Sequence, residues 1–155
     1  MHKISYIKLA GAIVICQLAG IIGSFFTSSS VSDWYPTLSK PAFNPPSWVF
    51  APVWATIFLL MGVSLYLVWT SKKPKRTALI LFYSQLVLNI LWSVLFFGLR
   101  SPLFAAIEIV VLWAAILATM IYFNRISKPA AYLLLPYILW VSFAAILNMT
   151  IAMMN

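Results

Sequence analysis

The chain has 155 residues, of which 64% are hydrophobic and 8% charged, against roughly 25% charged in soluble domains; with a mean hydropathy of +1.02 it reads as a membrane protein. Ten Lys/Arg stand against two acids, a net charge of +8, but the basic residues fill short gaps between apolar runs rather than a patch interleaved with base-reading side chains, which excludes nucleic acid as a partner. A single cysteine (Cys16) and a single histidine (His2) allow no intramolecular disulfide, no metal site and no Ser-His or Cys-His couple, and no cofactor is required.

Five apolar runs, about 9–26, 47–70, 78–97, 103–123 and 130–154, reach or approach the roughly 20 residues that cross a hydrocarbon core of about 30 Å. Backbone polar groups in lipid must be satisfied within the segment, so these are helices. The expected fold is an all-α integral membrane protein: one domain over 1–155, five transmembrane helices, and a long first extramembrane loop, 27–46. Pro45–Pro46, Pro74, Pro102 and Pro129 precede the second to fifth runs, where a missing N–H costs least. Pro52 and Pro136 lie inside runs and are expected to kink or unwind them.

The first run, with Lys3 and Lys8 before "LAGAIVICQLAG", is longer than the roughly 7–15 residues of a signal-peptide core, and no small-residue cleavage site follows, so it is expected to remain as a helix. Ala12, Cys16, Gly20 and Ser24 recur every four residues, a stripe that admits a close neighbour; packing within the bundle is expected ahead of a dimer seam. The loop and the start of the second run, "WYPTLSKPAFNPPSWVFAPVW", hold three tryptophans and five prolines. It divides at Pro45 into a stiff lid with few conformations to lose on ordering and a helix start. The expected roles are loop packing for Trp34, interfacial anchoring for Trp48 and ligand contact for Trp54, with Phe58, Met61 and Leu65 on the Trp54 face.

In the third run Gln85, Asn89, Trp92 and Phe96 fall within about 60° of helical arc. Polar side chains there mark an interior face, either as interhelical glue or as a ligand wall. In the fourth run Glu108 follows Phe104 by one turn. Placing a carboxylate near a helix centre costs roughly 2.5–3.5 kcal/mol, so Glu108 must face the bundle, be paired or be protonated; a cavity or proton-relay role and a bond to a neighbouring helix stand equal. The fifth run offers Tyr137, Trp140, Ala144 and Asn148 on one face. Trp69 joins Trp48 near run ends as belt residues. Lys3, Lys8, Lys72, Lys73, Lys75, Arg76, Arg125 and Lys128 fall on one side of the membrane and Lys40 and Arg100 on the other, which predicts a cytoplasmic N-terminus with the first loop and the C-terminus outside.

"PPSWVFAPVW" and "QLVLNILW", with "MGVSLYLVW" and "LLPYILWVSFAAILN", resemble the tryptophan-rich sensory protein or translocator-protein family (TspO/MBR, the peripheral benzodiazepine receptor family). The resemblance covers four of the five helices and the long loop. It implies a five-helix bundle, often a homodimer, that binds protoporphyrin IX and related tetrapyrroles in a pocket opening toward the first loop. Residue by residue it implies ligand contacts from Tyr35, Trp54, Asn89, Trp92, Phe104 and Trp140. Phe104 falls where animal members carry tryptophan, and Glu108 where relatives tend to have aspartate. After "AAILN" this chain lacks the Tyr-Arg/Lys ending of the animal sterol element, so a bacterial-type porphyrin binder is expected. Three functions remain open: a receptor or sensor for tetrapyrroles, a light- and oxygen-dependent porphyrin-degrading enzyme with Trp54 and Trp140 as its reactive residues, and a transporter of small hydrophobic molecules. The absence of an interior histidine on pocket-facing helices implies that metal-free protoporphyrin binds at least as well as haem.

Overall fold

The computed structural model describes residues 4–155, so His2 and Lys3 lie outside the described residues. The chain forms α1 (Tyr6–Asp33), α2 (Phe50–Trp69), α3 (Arg76–Ser93), α4 (Pro102–Ile126), α5 (Lys128–Leu133) and α6 (Leu135–Met154), with short 3-10 turns at Tyr35–Thr37 and Ser47–Val49 and a π turn at Val94–Gly98. Among the described residues these make five helical spans long and apolar enough to cross a membrane, α5 and α6 together being the fifth. Successive spans run up and down, so one end of the bundle carries Lys72–Arg76 and Arg125–Lys128 and the other carries the first loop.

One boundary and one of the two interior prolines differ from the sequence reading. The first helix runs to Asp33, so the loop begins at Trp34 rather than at 27. The hydroxyl residues that looked like loop are accommodated by bonding back to their own helix: Thr27 Oγ1 donates to Gly23 O (3.1 Å), Ser28 Oγ to Phe25 O (3.4 Å) and Ser32 Oγ to Ser29 O (3.1 Å), a local alternative to water for a hydroxyl in an apolar setting. Pro52 does not break α2. It sits in the first turn, where its missing N–H has no helical acceptor to serve. Pro136 does interrupt the fifth span: Leu134 leaves the helix between α5 and α6, and Pro136 restarts it within the first turn of α6.

Packing follows small residues and buried hydroxyls. A methyl group on Gly62 would lie 2.6 Å from Ile13 Cα, so α1 and α2 touch backbone to backbone at the basic end. Ala12, Cys16, Ala19 and Gly23 face inward, which gives the α1 stripe its role inside the bundle at its first two positions, whereas Ser24 is exposed. Buried Ser64 Oγ donates to Ala130 O at 2.7 Å and joins α2 to α5. On the buried face of α4 are Ala105, Glu108, Ile109, Leu112, Ile116, Thr119 and Phe123. α5 packs on α2 and α4, whereas α6 packs chiefly on α4 and meets α2 through aromatic side chains.

At the lid end, α3 widens into the π turn, Leu99 N–H bonding Val94 O at 2.7 Å, and Arg100 takes a left-handed φ of 52°. Ser30 Oγ donates to Phe97 O at 2.7 Å and fixes α1 to this turn. The loop above is tied at several points. Tyr35 OH donates to Asn44 Oδ1 (2.7 Å), Lys40 Nζ donates to Tyr35 O (2.8 Å) and Leu38 O (2.9 Å), and Asn155 exchanges two 2.9 Å bonds with the Ser39 backbone. Burial holds the Tyr35 phenol above its ordinary range, partly offset by its bond to Asn44.

Candidate ligand cavity

Beneath this loop lies a cavity of about 470 Å³ between α1, α2, α3 and α6, within the range of roughly 300–1,000 Å³ typical of small-molecule sites. Its shape follows from the packing above. The α1–α2 contact closes it at the basic end, and Tyr35 with the loop covers it above.

Trp54 projects from α2 into this space, stacked on Phe58 (5.6 Å, 29°) and edge-on to Tyr137 (6.3 Å, 71°). Trp140 lines the neighbouring wall from α6, packed against Phe50 (5.9 Å) and Phe143 (5.5 Å). Its indole Nε1 is buried without a hydrogen-bond partner. Trp140 also lines a second, shallower groove on the outer surface between α2 and α6, with Pro52, Thr56, Pro136 and Leu139.

The polar residues of α3 act both as glue and as wall. Asn89 Nδ2 donates to the Tyr137 hydroxyl (3.0 Å), which itself donates to Gln85 Oε1 (2.7 Å). Trp92 Nε1 donates to Asn148 Oδ1 (3.0 Å), and Asn148 Nδ2 to Pro102 O (2.8 Å). These bonds join α3 to α6 and α6 to the start of α4. Asn89, Trp92 and Asn148 nevertheless border the cavity, and Tyr35, 6% exposed, closes it from the loop side.

Of the six sequence-predicted ligand residues, Tyr35, Trp54, Asn89, Trp92 and Trp140 are brought to one cavity. Phe104 is not. It is 60% exposed and absent from the lining, because at 100° per residue it points roughly 90° away from the centre of the buried α4 face. Glu108 faces the bundle as expected, yet it neither borders the cavity nor bonds a neighbouring helix. Both its carboxyl oxygens, like Gln85 Nε2, are buried without a partner among the described residues. The residues that sequence reasoning missed are on α1: Gln17, Ser24, Thr27 and Ser28 form a cavity wall. The four-residue spacing Gly20–Ser24–Ser28 was the available signal, obscured by placing Ser28 in the loop.

Five apolar spans around a largely apolar cavity define an integral, multi-pass membrane protein with an intrabundle pocket. The sequence matches the TspO/MBR family over residues 12–154, and the chain belongs to that family. It is 46% identical over 153 residues to the tryptophan-rich protein TspO of Chlorobaculum tepidum, covering 96% of each chain. It is 42% identical to the tryptophan-rich protein TspO of Archaeoglobus fulgidus over 154 residues, 96% of this chain and 97% of that one. With the translocator protein of Bos taurus it shares 34% identity over 147 residues, 92% and 87% of the two chains.

Proposed function

We propose that this protein is a membrane receptor that holds protoporphyrin IX or a related tetrapyrrole in the cavity and thereby affects its traffic or stress signalling. The observation that carries the reading is the pairing of Trp54 and Trp140 on separate walls of one cavity. Two indoles facing an apolar space suit a flat, conjugated ligand, which gains from aromatic contact as well as from burial. Asn89 at the edge of the same space supplies a polar group for orientation. The chain requires no cofactor for this; the porphyrin is the ligand. The bilayer is its solvent, and a homodimer is the expected assembly.

The orientation proposed is N-terminus cytoplasmic, with the loop and C-terminus outside. Lys8, Lys72, Lys73, Lys75, Arg76, Arg125 and Lys128 stand at one end of the spans, and Lys40 and Arg100 at the other.

A second reading, light- and oxygen-dependent porphyrin degradation, is favoured by the same two indoles, since oxidisable rings beside a photosensitiser are placed to react. The test is illumination of the purified protein with protoporphyrin IX, with and without oxygen, comparing wild type with Trp54→Phe and Trp140→Phe. Saturable binding weakened in both variants, with only nonspecific bleaching in the light, supports the receptor. A defined product that disappears in both variants while binding persists supports the enzyme. Absence of saturable binding to wild type refutes both.

A further inference from the structure

The exposed members of the cavity wall all lie along one seam. They are Ile21, Ser24 and Ser28 on α1, and Ser47, Ala51 and Ala55 at and beyond the start of α2; every other lining residue is buried or half-buried. The cavity therefore opens sideways between α1 and α2 in the half of the bundle nearest the loop. Toward the basic end the seam is shut. A methyl on Gly20 would lie 2.8 Å from the Phe58 ring, and Gly62 abuts Ile13. Gln17 Nε2 donates to Ala55 O at 3.1 Å and staples the two helices at the lower corner of the opening. At the top, the loop covers the cavity with buried Tyr35 and is fastened by its bonds to Asn44, Lys40 and Asn155.

We infer that the cavity is loaded laterally from the bilayer, through this α1–α2 slit, and not from water past the loop. Opening the loop means breaking the hydrogen bonds that hold it, whereas the slit is already open. Both its edges sit on helices that cross the membrane, so the opening faces acyl chains in the leaflet on the loop side. The edges are chemically mixed. Ser24, Ser28 and Ser47 present hydroxyls beside Ala51 and Ala55, and the Ser24 and Ser28 hydroxyls donate hydrogen bonds to Ile21 O (2.7 Å) and Phe25 O (3.4 Å), so their oxygens remain able to accept. The slit thus fits a membrane-dissolved amphiphile with a broad apolar body and a polar, proton-donating edge that stays near the interface. That this cargo is a tetrapyrrole rests on the proposed function above; the position of the slit does not.

Two measurements on the full-length protein in lipid vesicles test the route. The first needs no porphyrin: Ala144→Cys places a thiol on the cavity wall, with wild type, whose Cys16 is fully buried, as background. A maleimide bearing a long alkyl chain should modify that thiol about tenfold faster than a sulfonated, membrane-impermeant one. Filling the slit with Ser24→Trp and Ala51→Trp, both at exposed positions, should remove this advantage. Equal or faster reaction of the sulfonated reagent, reaction with neither, or no effect of filling the slit overturns the proposal.

The second measurement follows protoporphyrin association by stopped-flow quenching of tryptophan emission. The filled slit should slow association about tenfold. A disulfide between Ser39→Cys and Asn155→Cys, which locks the loop to the end of α6, should leave that rate within about twofold of wild type. The opposite pattern, slow entry with the loop locked and normal entry with the slit filled, refutes lateral loading. If wild type takes up no tetrapyrrole, the functional reading fails and the thiol experiment alone decides the route.

Discussion

The hydroxyl of Tyr137 offers the sharpest test of how this bundle is held. Tyr137 is 1% exposed, and its OH both accepts from Asn89 Nδ2 and donates to Gln85 Oε1. Tyr137→Phe keeps the ring against Trp54 and removes two interhelical bonds at once. Side-chain hydrogen bonds between membrane helices contribute about 0.6 kcal/mol on average and up to about 1.7, and a buried group left unsatisfied costs about 1–3 kcal/mol. Asn89 borders the cavity and can turn to another partner; Gln85, 1% exposed and already carrying an unpaired Nε2, has none. The expected loss is therefore about 1–3 kcal/mol, measured by reversible unfolding in mixed micelles. Adding Gln85→Leu should restore part of it, because removing both partners of a buried bond is nearly neutral. Tyr137→Leu should cost more than Tyr137→Phe and shift the Trp54 emission. A loss below about 0.5 kcal/mol for Tyr137→Phe, or a double variant less stable than the single one, would refute the reasoning.

The other expectations concern packing and ligand choice. Gly62→Ala should cost about 1–3 kcal/mol by forcing α1 from α2, because the new methyl meets Ile13 Cα at 2.6 Å. Gly11→Ala, with nothing within 4 Å of its added methyl, should change stability by less than about 0.5 kcal/mol in the same unfolding assay. Ser64→Ala should cost about 0.5–1.5 kcal/mol by deleting the bond to Ala130 O, and the loss should show as faster hydrogen exchange in α5. Haem should bind no more tightly than metal-free protoporphyrin. The described cavity wall has no histidine, cysteine or methionine, and its one tyrosine, Tyr35, is committed to Asn44 with its phenol held above the ordinary range. A strong axial-ligand spectrum, abolished by one cavity substitution, would contradict this.

Much of the fold is written in the alternation of long apolar runs with proline-started helices. Pro102, for instance, sits at the first turn of α4 behind an Ser101 cap that accepts from Phe104 N–H. Composition misleads where a polar side chain is satisfied by its own backbone, and the serines of α1 extend that helix through a stretch that resembles loop. The α3 stripe was legible as an interior face because the polar groups at Gln85 and Asn89 could not face lipid. Which of its members would bond to Tyr137 and which to Asn148 depends on the rotation of α6, and no local pattern encodes that. Phe104 fails for a related reason: one turn of separation from Glu108 is 40° of arc, enough to carry a side chain at the shoulder of a helix from the interior to the surface. The cavity itself is a property of gaps between helices. Sequence reveals its aromatic walls; on the α1 side the signal was the four-residue spacing Gly20–Ser24–Ser28, hidden because Ser28 resembles loop.

The break at Leu134 changes what the fifth span is mechanically. It is two rods in series: a short one wedged between α2 and α4, and a longer one that leans on α4 and touches α2 through rings. The space beside Trp140 is the wedge between that second rod and its neighbours, so its width is governed by one joint near the basic end of the bundle. Pro136 supplies no N–H to the carbonyl of Tyr132, which leaves the joint without the bond that would make the two rods one. Residues around Leu134, far from any ligand, would then tune how large a molecule the cavity admits, as the angle of a hinge sets the opening of the jaw it carries.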